Sequence, residues 1–364
     1  MKILYVIPIT ATGGVENLVI QYGLYFKEKG CDVDVLSFSE GNNNVFKQFN
    51  NVYIIRSSSK SIISTYFRLK RFFRKHNHYD VVHTNVHYYN GIIAKLSHKY
   101  GVGVIVSHVH SNGGHCSNIL STIYNKTINS ILRRFILKYS TKLLACSYKS
   151  GNLMYGKDTH FEFFPNCIDT VKYKYDVVVR KSIREHLGVS ESDAVVLHVG
   201  RFSEEKNHKF LLKVFSCYHK RNPNSVLLLL GEGPLKNEIE EYSKNLQLGN
   251  SVRFLGYQSK VYQYFNVADI FILPSFFEGF PVSLVEAQAS GVLSYVSDTI
   301  PQEVIMTDRV FRLSLSLGEE HWASELPNTY NNDERQKYSA FVHCAKFDIE
   351  DALKRLEIIY NNRT

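Results

Sequence analysis

Short runs rich in Val, Ile and Leu alternate with stretches of helical spacing, and that alternation starts twice in this chain of 364 residues. The first series is "KILYVIPI" (2–9), "CDVDVLSF" (31–38), "NVYIIR" (51–56), "YDVVHTN" (79–85), "GVGVIVSHVH" (101–110) and "TKLLACS" (141–147). The second is "DAVVLHVG" (193–200), "SVLLLLG" (225–231), "SVRFLG" (251–256), "ADIFILPS" (268–275), "GVLSYVS" (291–297) and "RVFRLSL" (309–315). Strands buried on both faces read as continuous apolar runs, and parallel neighbours need a crossover helix between them. The pattern therefore predicts an α/β protein of two doubly wound, Rossmann-like parallel sheets. The break falls at "FFPNCIDTVKYKYD" (163–176), where Pro165 and Asn166 interrupt the alternation. The resulting boundaries are 1–170, 171–346 and a last helix, 347–364, with no strand to return to. A chain of this length is too long for one ordinary core.

Composition narrows the class. With 44 % hydrophobic and 21 % charged residues, the chain reads as a soluble globular protein. No apolar run is long enough to span a bilayer. "MKILYVIPI" superficially resembles an export signal, but its apolar stretch is short and runs into a strand, loop and helix. Cysteines at 31, 116, 146, 167, 217 and 344 show no metal or redox spacing and read as thiols of a reducing compartment.

Charge is placed unevenly. Residues 41–157 carry 17 Lys/Arg and one acid, Asp80, and residues 1–170 carry 20 Lys/Arg against 9 Asp/Glu. That half seeks an anionic partner. "TYFRLKRFFRKH" (65–76) interleaves aromatics with Arg68, Lys70, Arg71, Arg74 and Lys75. "ILSTIYNKTINSILRRFILKYSTKLL" (119–144) sets Lys126, Arg133, Arg134 and Lys138 among helically spaced apolar residues. Both fit helices resting on an anionic membrane surface, and both equally fit core helices with a solvated basic rim. No nucleic-acid-binding module is present, so nucleic acid is not an expected partner.

Ligands of open parallel sheets bind at the carboxyl ends of strands, so the informative residues follow each run. After the first come Thr12, Gly13 and Gly14, whose backbone admits close approach of an anion at a helix start. After the seventh come Gly200, Arg201 and Lys206 in "GRFSEEK", a planar fork and a point charge suited to a diphosphate. The bland alternative is a solvated loop neutralised by Glu204 and Glu205. "PSFFEGFPVSLVEAQASG" (274–291) follows a later strand and sets Glu278, Gly279, Phe280 and Pro281 in a loop, with Glu286 on the next helix. Two such carboxylates can accept hydrogen bonds from sugar hydroxyls. "DVD" (32–34) imitates a manganese motif, yet Asp32 and Asp34 alternate with valines within a strand, so no metal is expected.

The double glutamate of "EGFPVSLVEA" resembles the signature of retaining family 4 glycosyltransferases, which have the GT-B fold of two such domains facing across a crevice. "TGGVE", "YDVVHTN", "SHVHS", "PNCID", "GRFSEEKNH", "LLGEGPL", "FLGY", "ADIFILPS" and "SDTIPQEV" extend the likeness over nearly the whole chain. It is nearest to bacterial enzymes of capsule, exopolysaccharide and O-antigen synthesis. The resemblance implies an acceptor-binding first domain, a nucleotide-sugar-binding second domain and a last helix packing back on the first. It implies that Arg201 and Lys206 hold the donor diphosphate, Glu286 the ribose and Glu278 the donor sugar. Gly13 and Gly14 would close over the diphosphate, and the backbone near Gly256 and Tyr257 would read the base. His110 matches the family histidine beside the sugar, with His108 the alternative.

The implied reaction is metal-independent and needs no resident cofactor, the nucleotide-sugar being a substrate and UDP the favoured carrier. The implied acceptor is a glycan linked to polyprenyl diphosphate, met by a peripheral protein at the cytoplasmic membrane face. Cys167 stands where the family has glycine in "PNGID", and Leu293 replaces a common proline. Rival readings are a nucleotide-sugar epimerase, a phosphorylase, which would need a pyridoxal-binding lysine that no motif suggests, and a silent binding protein.

Overall fold

The computed structural model describes residues 1–10, 13–41, 44–56, 62–110 and 119–362, with the backbone alone over 119–126. Thr12, Ser111 and Cys116 lie outside the described residues, as does the side chain of Lys126. The chain divides into two compact units, Met1–Asn166 with Glu350–Thr364, and Cys167–Ile349.

The first unit is built on strands β1 (Lys2–Ile7), β2 (Asp32–Ser37), β3 (Asn51–Ile54), β4 (Val81–Thr84), β5 (Val104–Val109), β6 (Lys142–Ala145) and β7 (Glu162–Phe163). Helices α1 (Gly14–Glu28), α2 (Ile62–Lys75), α3 (Asn90–Lys99), α4 (Ile119–Tyr139) and α5 (Tyr148–Tyr155) connect them. The sheet order is β3-β2-β1-β4-β5-β6-β7 and every pairing is parallel. β1 sits at its centre with Ile3 to Ile7 fully buried, which accounts for the unbroken apolar run of "KILYVI". Asp34 of β2 is buried by an internal role: its carboxylate accepts from the Tyr79 hydroxyl and the Asn51 amide, each at 2.8 Å.

The second unit carries α6 (Val177–Leu187), then β8 (Ala194–Val199), α7 (His208–Arg221), β9 (Ser225–Leu230), α8 (Lys236–Asn245) and β10 (Val252–Gly256). It continues with α9 (Val261–Val267), β11 (Ile270–Leu273), α10 (Val282–Ala289), β12 (Leu293–Ser297), β13 (Val310–Leu313), α11 (Gly318–Glu325) and α12 (Tyr338–Cys344). Its sheet runs β10-β9-β8-β11-β12-β13, so strand order reverses between β8 and β11, where an open sheet receives ligands.

Asp269, just ahead of β11, fastens α6 to this sheet. Its carboxylate takes Arg180 at 2.8 Å, Arg184 at 2.6 Å and the Val195 amide at 2.9 Å, and all three side chains involved are buried. A buried carboxylate so fully partnered is costly to disturb. The final helix α13 (Ile349–Asn361) supplies Tyr360 to the first unit, where its ring lies 4.8 Å from that of Phe26.

Candidate functional site

In the second unit the segments after β8, β9 and β11 converge. Gly231 at φ +137° ends β9, and a side chain there would strike the Gly200 carbonyl. The Phe202 amide bonds the Glu232 carbonyl at 3.1 Å and the Leu235 amide bonds the Phe202 carbonyl at 3.0 Å. This fixes the backbone that carries Arg201, whose side chain is exposed.

A single 3₁₀ turn, Glu204–Lys206, follows, ending in the left-handed Asn207 at φ +54°. The Asn207 amide reaches the Pro274 carbonyl at 3.2 Å and the Phe276 amide bonds the Glu205 carbonyl at 2.9 Å. These bonds set Lys206 against the loop of Glu278. Lys206 Nζ lies 2.6 Å from Glu278 Oε1, and the same oxygen accepts from Ser275 Oγ at 2.7 Å. Lys206 therefore draws its carboxylate partner from across the rim. Glu205 instead accepts from Ser203 Oγ at 2.6 Å.

Past Glu278 the loop is held by Phe280, buried and stacked on Phe347 at 5.9 Å, while Gly279 is half-buried. Pro281 caps α10, and its carbonyl receives the Leu284 amide at 3.0 Å. One turn further in, Glu286 Oε1 accepts from the Tyr173 hydroxyl at 2.5 Å. Burial pushes the Glu286 carboxyl up to about 7, with Tyr173 and Lys172 acting the other way. The Tyr173 hydroxyl rises well above its usual range, from burial first and the neighbouring Glu286 second. Gly256, at φ +64°, presents its carbonyl to the Gly231 amide at 2.9 Å, and Tyr257 beside it is 55 % exposed. Arg201, Lys206, Glu278, Glu286, Gly256 and Tyr257 thus share the carboxyl-end rim of one sheet. Glu278 and Glu286 face different partners within it.

In the first unit Gly13 is the N-cap of α1 and Gly14 its first residue, with Glu16 folded beneath so that a side chain at 13 would meet its carboxylate. Burial raises the Glu16 carboxyl. His110 follows β5 with Nε2 2.8 Å from Asn85 Oδ1 and Nδ1 2.7 Å from Asn166 Oδ1. Burial holds its pKa down to about 4, so the ring is neutral and carries one N–H. The Asn85 amide already donates to the Val6 carbonyl at 3.2 Å, which aims its oxygen at a protonated Nε2. Nδ1, which faces Asn166 Oδ1, is then unprotonated and donates nothing to that oxygen.

His108 is fully buried. Its ring lies 3.3 Å from His83 and 3.2 Å from the Phe164 carbonyl, and His83 reaches the Tyr360 hydroxyl at 2.6 Å. His110 keeps some solvent exposure; His108 keeps none.

The basic helices differ. On α2, Arg68, Arg71, Arg74 and Lys75 are exposed and Lys70 half-buried, with Ile63 and Phe67 exposed at 67 % and 59 %. On α4, Arg134 is exposed, but Arg133 corrects the expectation of a surface-facing cation: its Nε and Nη2 donate to the Tyr155 carbonyl at 3.1 and 2.7 Å. That carbonyl closes α5, and the guanidinium satisfies an acceptor no helical amide reaches. Sequence reasoning also missed Tyr173, Ser275, Asn85 and Asn166, which hold the expected residues by their side chains. All four lay in stretches that had drawn notice, Tyr173 and Asn166 in "FFPNCIDTVKYKYD", Ser275 in "PSFFEGFPVSLVEAQASG" and Asn85 in "YDVVHTN", but not as partners of the expected residues.

Comparison with known proteins gives the same class from both halves. The family described as "Glycosyltransferase Family 4" matches residues 12–172 and that described as "Glycosyl transferases group 1" matches residues 179–313. A Bacillus subtilis (strain 168) protein named as glycosyltransferase EpsF is 28 % identical over 339 residues, covering 89 % of this chain and 86 % of that one. The UDP-Gal:alpha-D-GlcNAc-diphosphoundecaprenol alpha-1,3-galactosyltransferase of Escherichia coli is 26 % identical, covering 78 % and 72 %. The crystal structure of Anabaena HepE in complex with UDP and glucose superposes with a TM-score of 0.76 at 19 % identity, over 100 % of both chains.

Proposed function

The chain belongs to the GT-B glycosyltransferases of family 4, and on that premise we propose that it moves a sugar from a UDP-sugar to a polyprenyl-diphosphate-linked glycan in bacterial surface polysaccharide synthesis, with retention of configuration. The observation that carries this reading is the convergence of Lys206, Glu278 and Glu286 on one strand-end rim, with Arg201 beside them. The reading draws support from the galactosyltransferase named for a diphosphoundecaprenol acceptor and from the UDP in HepE.

Arg201 and Lys206 hold the diphosphate, and Lys206 exchanges its contact with Glu278 for a phosphate oxygen. Glu278, released, accepts from hydroxyls of the sugar, and Glu286 accepts from the ribose in place of Tyr173. Tyr257 and the backbone at Gly256 meet the base. In the transfer step the bond from the anomeric carbon to the diphosphate oxygen breaks as the bond to the acceptor oxygen forms on the same face. The acceptor proton passes to the departing phosphate. Arg201 and Lys206 stabilise the charge that grows there, a role usually worth about 10²–10³ in rate, without a metal or resident cofactor. In the first unit Gly13 and Gly14 offer backbone amides at a helix start, and His110, held neutral, serves the sugar under transfer. No helix among the described residues is long and apolar enough to cross a membrane. The exposed cations and apolar residues of α2 support a peripheral position at the inner membrane face.

The test is transfer itself. Pure protein is incubated with UDP-hexoses and a prenyl-diphosphate-linked sugar, with and without EDTA, and the product's anomeric proton is read by NMR. Retained configuration and indifference to EDTA support the reading. Inversion, EDTA sensitivity, epimerised donor or binding without turnover each contradict it.

A further inference from the structure

A cleft of about 600 Å³ opens in the first unit between the end of β3 and α2. Arg56 enters it from the chain after β3, Arg68, Arg71 and Lys75 from one stripe of α2, His76 from just past that helix, and Glu40 from the chain after β2. Four permanent cations thus face one carboxylate. Arg68 is steered by a 3.0 Å bond from its Nη1 to the Arg56 carbonyl, and His76 is fixed by stacking on Phe72 at 4.8 Å. Burial, followed by Lys75, lowers the His76 pKa, so the ring enters the cleft as a neutral hydrogen-bonding group.

The stripe costs the helix stability. Arg68 and Arg71 stand three apart, and Arg71 and Lys75 four apart, spacings at which like charges repel. An anion of high charge density offsets that repulsion, and three guanidinium forks match phosphate oxygens in pairs. The neighbouring stripe of the same helix is apolar and outward: Ile63 and Phe67, one turn apart, are the helix's exposed large hydrophobic residues. Cation cleft and apolar stripe meet along Arg71. The cleft runs along the outer edge of the sheet beside β3, from Arg56 past the end of that strand to His76, which packs on Tyr53 within it, two strand spacings or roughly 10 Å from β1.

We propose that this cleft seats the diphosphate of a lipid-linked diphosphate, with the first part of the lipid chain lying along Ile63 and Phe67. The inference rests on the lipid-linked acceptor of the reading above and names where that acceptor's phosphates bind. A diphosphate diester, with its two adjacent anionic phosphates, matches the cation excess of the cleft better than the single phosphate of a common phospholipid.

The experiment measures binding of the full-length protein to three sets of vesicles. The sets are neutral phosphatidylcholine, phosphatidylcholine doped with a long-chain prenyl diphosphate, and phosphatidylcholine with phosphatidylglycerol at matched total charge. Binding tighter by about tenfold to prenyl diphosphate than to the charge-matched phosphatidylglycerol is expected, as charge-assisted bidentate bonds imply. Arg68→Ala with Lys75→Ala should abolish that preference, and Ile63→Ser with Phe67→Ser should weaken it. Arg134→Ala with Lys138→Ala, which removes equal charge from α4, should lower binding to both anionic vesicles alike and keep the preference. Inorganic pyrophosphate should compete only weakly, because it lacks the chain. Equal binding to the two anionic vesicles, a preference that survives loss of Arg68 and Lys75, or pyrophosphate competing as well as the lipid would each overturn the proposal. UDP stabilisation, read on the same samples by thermal melting, separates the readings. Intact UDP stabilisation in the cleft variant certifies its fold, and UDP response without a prenyl-diphosphate preference leaves the transferase reading standing while this site falls.

Discussion

The Tyr173 hydroxyl donates to Glu286 at 2.5 Å, and Ser290 Oγ, at 2.7 Å from the Tyr173 carbonyl, holds that segment in place. In the donor complex proposed above, a ribose hydroxyl would take the place of Tyr173 at Glu286. Tyr173 also keeps an otherwise strongly desolvated carboxylate partly ionised.

Donor affinity should depend on pH through this pair. Burial lifts the Glu286 carboxyl to about 7, so the acceptor form is lost as pH falls through that value. UDP affinity should therefore rise from pH 6 to pH 8. Tyr173→Phe removes a bond that favours the ionised form, so the midpoint should move to higher pH. Calorimetric titration of UDP across that range checks it; an unshifted midpoint in Tyr173→Phe would sink the assignment.

Lys206→Ala should weaken donor binding and in addition lower kcat by about 10²-fold, because the lysine also answers charge that grows on the departing phosphate. Lys206→Arg should not restore it: Glu278 Oε1 and Ser275 Oγ leave one point-charge position, not a fork. Steady-state kinetics at saturating acceptor reads this. A rise confined to KM would mean the lysine binds the donor uniformly and does no more.

His110 should leave no break in the pH–rate profile above pH 5, since burial keeps its pKa at about 4 and the ring is neutral throughout. Asn85→Ala frees Nε2 and lets the ring change tautomer. It should cut kcat while UDP binding stays intact. A break near pH 6 to 7 that vanishes in His110→Asn would show a titrating histidine and refute the neutral assignment.

Asp269→Asn should destabilise the protein without touching donor affinity. It leaves the buried Arg180 and Arg184 with only the exposed Glu191 as counter-charge, and breaking a buried pair costs about 3–5 kcal/mol. In a unit of this size that lowers the melting temperature by on the order of 10 °C. Differential scanning calorimetry beside a UDP titration tests both halves of the statement, and an unchanged melting temperature would contradict it.

The sheets were legible because buried parallel strands must be apolar throughout. Each of the twelve runs, from "KILYVIPI" to "RVFRLSL", holds a strand, with ends trimmed by one to four residues. β7 was missed: two residues, Glu162 and Phe163, at the sheet's edge carry no pattern to read. α12 was missed because seven residues with no side-chain cap give too short a period.

At the site, glycines and charges after strand ends were visible as types. Their partners were not, since Lys206 and Glu278 lie 72 residues apart and nothing local in "GRFSEEK" favours Glu278 over Glu204 or Glu205. Arg133 shows the converse limit. Its neighbours in sequence suggested a surface cation, and only the carbonyl of Tyr155, from the next helix, explains its half-buried position.

The most direct test of the central claim is a thermal-melting titration with UDP, GDP and ADP on the parent protein, Glu286→Ala and Lys206→Ala. A ligand bound only by the folded state stabilises it by an amount that grows with concentration over Kd, about 2.7 kcal/mol at a hundredfold excess. The account predicts that UDP alone raises the parent's melting temperature and that both variants, folded and melting as the parent does without nucleotide, lose most of that response. Equal response to UDP in parent and variants would remove the donor site from this rim.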